Sequence, residues 1–282
     1  MASSAVMKKT ALLLLCLLAS AAAAARPPAD CGAVEAEAFS VLPMLLPAGR
    51  GGRQGVSYCL SNLRADAVEV WNGAGGFGSP KRLPVRESGF SVNAGKTGNY
   101  HWLQATENSE LGIITASTAH YFSAPGPAPT AMLQLPKTEL EIVPQPLPRE
   151  HWRYRAGETW EFLVRFQGEP LKDAEVRLKT SGGARREYRT DERGIARVYF
   201  PLDGAGEAHA GGHDHGRSQQ DRFVLTVDLK GPDGRRYLTA FNHHYGPPAS
   251  AGRSLPFGLG FLALGGLIAL PLAMRHKEGK HG

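Results

Sequence analysis

Residues 223–229 read "FVLTVDL". In an extended chain Phe223, Leu225, Val227 and Leu229 share one face, because successive side chains point to opposite sides. The run "EVRLKT" at 175–180 repeats the pattern: Val176 and Leu178 face one way, Arg177 and Lys179 the other. Alternation of period two between short turns predicts antiparallel strands with one buried face. Working outward, strand-like runs recur at Leu140–Val143, Trp160–Phe166, Ala174–Lys179, Arg186–Arg189, Ala196–Pro201 and Tyr237–Tyr245. That density of short strands over 136–247 predicts a β-sandwich of Ig-like or prealbumin-like kind.

Upstream, residues 27–123 hold further strand-like runs at Val56–Leu60, Ala67–Trp71, Asn99–Ala105 and Leu111–Phe122, with glycine, asparagine and proline clusters between them and no long helical period. Between the two regions "APGPAPT" (124–130) is dense in proline, which favours an extended, semi-rigid connection. The expected organisation is therefore a β-rich module over 27–123, a proline-rich linker over 124–135 and a sandwich over 136–247. "GAGGFG" (73–78) fits the spacing of a dinucleotide fingerprint, but that motif works only where a helix opens directly after it. Pro80 and Pro84 follow instead, so the stretch reads as a glycine-rich turn.

The termini bear on compartment. Lys8 and Lys9, the apolar run Ala11–Leu18 and alanines ending at Ala25 form a secretory signal peptide over 1–25. Leu255–Met274 is uncharged and long enough to cross a bilayer once; Arg275, Lys277 and Lys280 follow, so 275–282 is expected to remain cytoplasmic. A buried core helix is the alternative for that stretch. The fold class expected is all-β, two β-sandwich-like modules plus one C-terminal transmembrane helix, with the ectodomain in the periplasm and the chain held in the bacterial inner membrane. Of the formal net charge of +6, the signal peptide and the anchor flank carry most, leaving little for the ectodomain. The basic balance thus reports topology and does not call for nucleic acid as a partner. Cys31 and Cys59 remain after cleavage; in an oxidising compartment the simplest reading is a disulfide, with two soft metal ligands as the alternative.

Three phrases carry a family resemblance. "YRAGETWEFLVRFQGEPLKDAEVRL" (154–178) looks like the hairpin of exported Ig-like and carboxypeptidase-regulatory-like domains. "RTDERGIARVYFP" (189–201) resembles their turn-and-strand unit, in which Asp191 and Gly194 supply turn geometry, and "LEIVPQPLP" (140–148) completes the pattern. Together with the signal peptide, the anchor and a histidine-rich stretch, the chain resembles a bacterial family of exported proteins of unknown function, many of them associated with nickel or cobalt uptake. The resemblance implies a periplasmic Ig-like protein tied to transition-metal uptake; it supplies no site residues.

The histidine-rich stretch is "DGAGEAHAGGHDHG" at 203–216. In an extended segment His213 and His215 point the same way, so both rings can meet one ion, with His209 arriving through "AGG" and Asp214 or Glu207 adding charge. Neutral imidazole suits Ni²⁺ and Co²⁺ first, and Cu²⁺ or Zn²⁺ as well. The competing account is an ordinary solvated insertion, since a connection of this length is either functional or disordered. His243 and His244 in "NHHY" face opposite sides of a strand, so at most one joins a given cluster. His101 in "NYHWLQA" and His120 in "TAHYF" converge if their strands pair, with Cys31 or Glu107 as company. For these four, hydrogen-bonded packing is the stronger reading and metal ligation the weaker.

No His-Glu-x-x-His, Gly-x-Ser-x-Gly or reactive-cysteine pattern is present, so an enzyme is not expected. The expected function is binding or relay of a divalent transition metal, nickel or cobalt first, to an inner-membrane metal permease or uptake system. The rival is an Ig-like interaction protein that scaffolds an envelope complex, its histidine loop incidental.

Overall fold

The structure, a computed structural model, describes residues 30–52, 54–72, 80–95, 98–110, 112–123, 125–148, 153–202 and 221–246. In chain order these form α1 (Cys31–Ala36), β1 (Met44–Gly52), β2 (Gly55–Ser61), β3 (Ala67–Asn72), β4 (Lys81–Pro84), β5 (Gly89–Asn93), β6 (Tyr100–Ser109) and β7 (Gly112–Tyr121). They continue with α2 (Thr130–Gln134), β8 (Leu140–Gln145), β9 (Tyr154–Arg155), β10 (Thr159–Phe166), β11 (Glu169–Pro170), β12 (Glu175–Thr180), β13 (Arg185–Arg189), β14 (Ile195–Tyr199), β15 (Asp221–Lys230) and β16 (Arg236–Gly246). The described residues are mostly β-strand in sandwich-like sheets, consistent with the all-β class, and each run expected to be a strand falls on one.

A large central sheet runs β13-β12-β15-β16-β7-β6-β3-β4, with β9 added beside β16. One layer, β1-β2-β5, covers part of one face; a second, built on β10 with β8, β14 and β11, covers part of the other. The expected separation into two sandwiches meets a different arrangement here. β7, from before the proline-rich segment, pairs in parallel with β16, from after it, over Gly112–Ser117 and Arg236–Phe241. Core residues from both sides also mix: Trp102 stacks on Phe241 with centroids 5.5 Å apart.

The reason lies in β6. "YHWLQA" is buried at every position: Tyr100 and Trp102 enter the core beneath β10, whereas Leu103 and Ala105 enter the core beneath β2. A strand buried on both faces is a central strand, and both covering layers need it. The proline-rich connection is likewise not wholly extended, because Thr130–Gln134 turns into the short α2, which buries Met132 and Leu133. No helix follows the 73–78 glycines, which lie outside the described residues; the chain enters β4 at Lys81.

The local turn readings hold. Asp191 Oδ1 accepts from the backbone N–H groups of Arg193 and Ile195, each at 2.9 Å, and Gly194 sits at φ +71°. A Cβ at Gly194 would stand 2.7 Å from the Val164 carbonyl oxygen, so only glycine fits.

Cys31 of α1 and Cys59 of β2 form a disulfide with Cα atoms 5.4 Å apart. Neither sulfur is a free metal ligand. The bridge closes a loop spanning 28 residues and ties α1 to the β1-β2-β5 layer. Replacing both cysteines with serine should cost about 2–4 kcal/mol, read as a lower urea midpoint with a somewhat steeper slope, because the unbridged chain unfolds to a more expanded state. Equal midpoints for the variant and the parent would show that the staple contributes nothing.

The signal peptide (1–25) and Leu255–Met274 lie outside the described residues. Among the described residues no helix is long and apolar enough to cross a membrane.

Candidate functional site: histidines at one end of the central sheet

Antiparallel pairing of β6 with β7 sets His101 directly opposite His120, on one face of the sheet. On the other side of β7, the parallel ladder to β16 runs to Phe241, and Thr118 Oγ1 then donates to the Asn242 carbonyl at 2.7 Å. His243 and His244 follow, opposite Phe223 and Arg222 of β15. Four histidines from three neighbouring strands therefore gather at one end of the sheet.

Three of them are engaged in hydrogen bonds and ring packing; His244 touches the His243 ring, at 5.9 Å between centroids, and its Nδ1 is buried with no hydrogen-bond partner among the described residues. Tyr58 of β2 reaches across from the covering layer, its Oη 3.0 Å from His120 Nδ1. Asn72 Nδ2 donates to His101 Nε2 at 3.2 Å. Phe122 lies edge-on to both rings, with centroids 5.0 Å from His101 and 4.4 Å from His120. His243 is buried on the opposite face, stacked on Phe241 and edge-on to Tyr154 at 5.5 Å. The alternation expected for "NHHY" is thus what the strand does.

Burial sets the electrostatics, since an imidazolium loses hydration inside the fold. Burial pushes His243 down to about 4. It pushes His120 down to about 4 as well, helped by His101 and His243 nearby. His244 falls to about 3, from burial first and then from His243, Arg222 and His120. His101 is lowered by burial too, and burial raises the Tyr58 hydroxyl above its usual value. At neutral pH all four rings are uncharged, the form that can accept hydrogen bonds or ligate a metal.

Among the described residues, however, no group of three or more His, Cys, Asp or Glu side chains is arranged to hold a metal ion. Of the company expected for His101 and His120, Cys31 is in the disulfide and Glu107 accepts from the backbone N–H of Arg64 at 2.8 Å. The leading metal candidates, Glu207, His209, His213, Asp214 and His215, lie outside the described residues. Their attachment points do not. Phe200, just after β14, and Phe223, in β15, touch with centroids 4.5 Å apart, and Asp221 stands opposite Tyr245. The last described residue of the β14 side and the first of β15 are thus at the end of the sheet where His243 lies.

Tyr58 and Asn72 were not legible as partners of this cluster, nor Asn242 as the anchor beside it. Asn242 uses its whole amide: Oδ1 accepts from the Leu45 N–H and Nδ2 donates to the Leu45 carbonyl, each at 2.9 Å. Those two bonds fasten β1 to the face of β16. The one sequence signal was alternation, which puts Tyr58 with Val56 and Leu60 on the inner face of β2.

No protein-family model matches the chain, and no curated protein matches it. Solved structures that resemble it include a 1.5-MDa bacterial ice-binding adhesin, at 12% identity over 73% of this chain and 64% of that chain, TM-score 0.25. Others are the D0-D1 domain of intimin, at 12% identity over 72% of this chain and 97% of that chain, TM-score 0.24, and a two-domain fibronectin type III segment from chicken tenascin, at 9% identity over 72% and 98%, TM-score 0.21. The chain spans less than two thirds of the length of that ice-binding adhesin. Likenesses this distant carry no argument about activity, and none of them bears on nickel or cobalt uptake.

Proposed function

We propose that the chain is a non-catalytic, exported binding protein, anchored through 255–274, that captures a divalent transition metal, nickel or cobalt first. The ligands are His209, His213 and His215 with Glu207 and Asp214, and the ion is relayed to an inner-membrane permease. The carrying observation is the packing of Phe200 on Phe223, which holds the described ends of β14 and β15 together on either side of 203–220. Strands packed on either side of a histidine-rich segment bring its two ends together, and glycines lower the steric cost of wrapping an ion. The strand histidines are the lesser candidates, because Tyr58 and Asn72 engage His120 and His101, and His243 packs on Phe241 and Tyr154.

The test is calorimetric titration of the tag-free full chain in mild detergent with Ni²⁺, Co²⁺, Cu²⁺ and Zn²⁺. Saturable binding is expected, lost or weakened at least tenfold in the His209, His213 and His215→Ala triple variant and unchanged in His243→Phe. No saturable binding below millimolar metal would remove the reading. Unchanged affinity in the triple variant would remove the proposed ligands.

A second reading, an interaction protein of an envelope complex with incidental histidines, is favoured by the open basic groove on the far part of the central sheet.

A further inference from the structure

The β1-β2-β5 layer covers only part of its face of the central sheet, and β1 stops the coverage at Val224 and Ala240. Beyond it Arg177, Arg185 and Glu187 of β12 and β13 and Asp228 and Arg236 of β15 and β16 are exposed on the outer face. The segment Ser40–Leu42, which leads into β1, stands beside this face and walls a groove of about 660 Å³. On the groove floor the register sets Lys179 directly opposite Arg185. Like charges directly opposite across a strand pair are destabilising.

Of the other cations lining the groove, Arg236 binds Asp228 at 2.7 Å and Arg177 binds Glu175 at 2.5 Å, while Arg186 is turned over the Tyr199 ring, 5.8 Å from its centroid. Neither Lys179 nor Arg185 has a carboxylate within ion-pair distance among the described residues. Across the groove Val41 is 85% exposed, a large apolar side chain with no cover. Two unneutralised cations facing an uncovered valine form a recognition pattern that the fold itself does not use.

We propose that this groove docks an extended acidic segment of a partner protein, its carboxylates on Lys179 and Arg185 and an apolar side chain against Val41. Charge complementarity selects the occupant. Glu187 and Asp228 line the same groove, so the surface is not the uninterrupted basic field that nucleic acid requires. A flat membrane surface does not reach a floor walled by Ser40–Leu42, whereas a single extended chain does. The inference stands apart from the metal reading, since it uses none of the histidines.

The probe is a fluorescein-labelled decapeptide with glutamates flanking a central valine pair, against a counterpart with lysines in place of the glutamates. Anisotropy is read with the full chain in mild non-ionic detergent, with EDTA present so that metal binding is silent. The acidic peptide is expected to bind saturably and to weaken as salt rises, and the lysine peptide not to bind. Lys179→Glu with Arg185→Glu should weaken binding at least tenfold, Val41→Ser several-fold, and Glu187→Lys should strengthen it. Both positions of the double variant are on the solvent-facing side of the sheet, and a urea midpoint within error of the parent's checks its fold. The inference is overturned if the acidic peptide does not bind, or if charge reversal leaves its affinity unchanged. It is also overturned if heparin binds through Lys179 and Arg185 while the peptide does not.

Discussion

Glu141→Gln is expected to lower the unfolding free energy by about 3–5 kcal/mol, among the largest effects of any single polar substitution in the described chain. Glu141 of β8 and Arg165 of β10 form an ion pair at 2.6 Å with side chains only 3% and 5% exposed. Arg165 Nε donates to Glu141 Oε2 at 2.7 Å, Nη1 donates to the Gln134 carbonyl at 2.8 Å, and Nη2 donates to the Leu133 and Leu135 carbonyls. Glu141 Oε1 meanwhile accepts the backbone N–H groups of Lys137 and Thr138. The pair therefore satisfies the C-terminal carbonyls of α2 and the bend after it, groups that a helix end leaves without partners.

Neutralising Glu141 strands a buried guanidinium, and an uncompensated buried charge costs more than the intact pair gains. Arg165→Met should cost a similar amount, because the Glu141 carboxylate is then the stranded charge. The double variant Glu141→Leu with Arg165→Met should cost clearly less than the two singles added together. Urea unfolding at pH 7.5 measures all three. Additive losses would mean that the two side chains act independently, against the geometry.

What the sequence made legible, and what it did not, follows from how local each cause is. Alternation alone located β12 and β15, because "EVRLKT" and "FVLTVDL" each bury one face, and turn chemistry located the Asp191–Gly194 bend. β1 escaped because Pro47, Gly49, Gly51 and Gly52 read as breakers; it is a strand since Met44 and Leu46 pack on Val224 and Ala240 while Leu45 fills the core under β2. β5 escaped because only Phe90 and Val92 carry its pattern. The parallel pairing of β7 with β16 joins segments more than a hundred residues apart, and no local pattern encodes such a register. The same holds for the histidines. Pairing of His101 with His120 followed from a hairpin, conditional on its forming, whereas Tyr58 reaches His120 from a different layer. The proline-rich stretch misled because composition marks a connection without saying whether the strands it joins share a sheet.

The histidine end of the sheet should make the fold acid-sensitive in a window where carboxylates are still ionised. His243 is the clearest case, buried and held down to about 4, against about 6.5 in an unfolded chain. With a depressed folded value, the unfolded chain binds the proton more readily, so stability is fully present above about 6.5 and is lost as pH falls through about 4. Each such group contributes a slope of about 1.4 kcal/mol per pH unit within that window, hence about 2 kcal/mol for His243 by pH 5. His120 and His244, pushed down by burial and by one another, act in the same direction. Charges on these rings would meet Arg222 opposite His244 and would weaken the Tyr58–His120 contact between the covering layer and the central sheet. The loss should therefore be felt first where β1-β2-β5 docks. Urea unfolding at pH 7.5, 6.5, 5.5 and 5.0 gives the slope. His243→Phe, which keeps a ring against Phe241 and Tyr154 but cannot titrate, should flatten it by about one proton's worth. Carboxylate titration is common to both proteins and cancels in the difference. Superimposable slopes for the variant and the parent would show that His243 charges as readily in the fold as outside it.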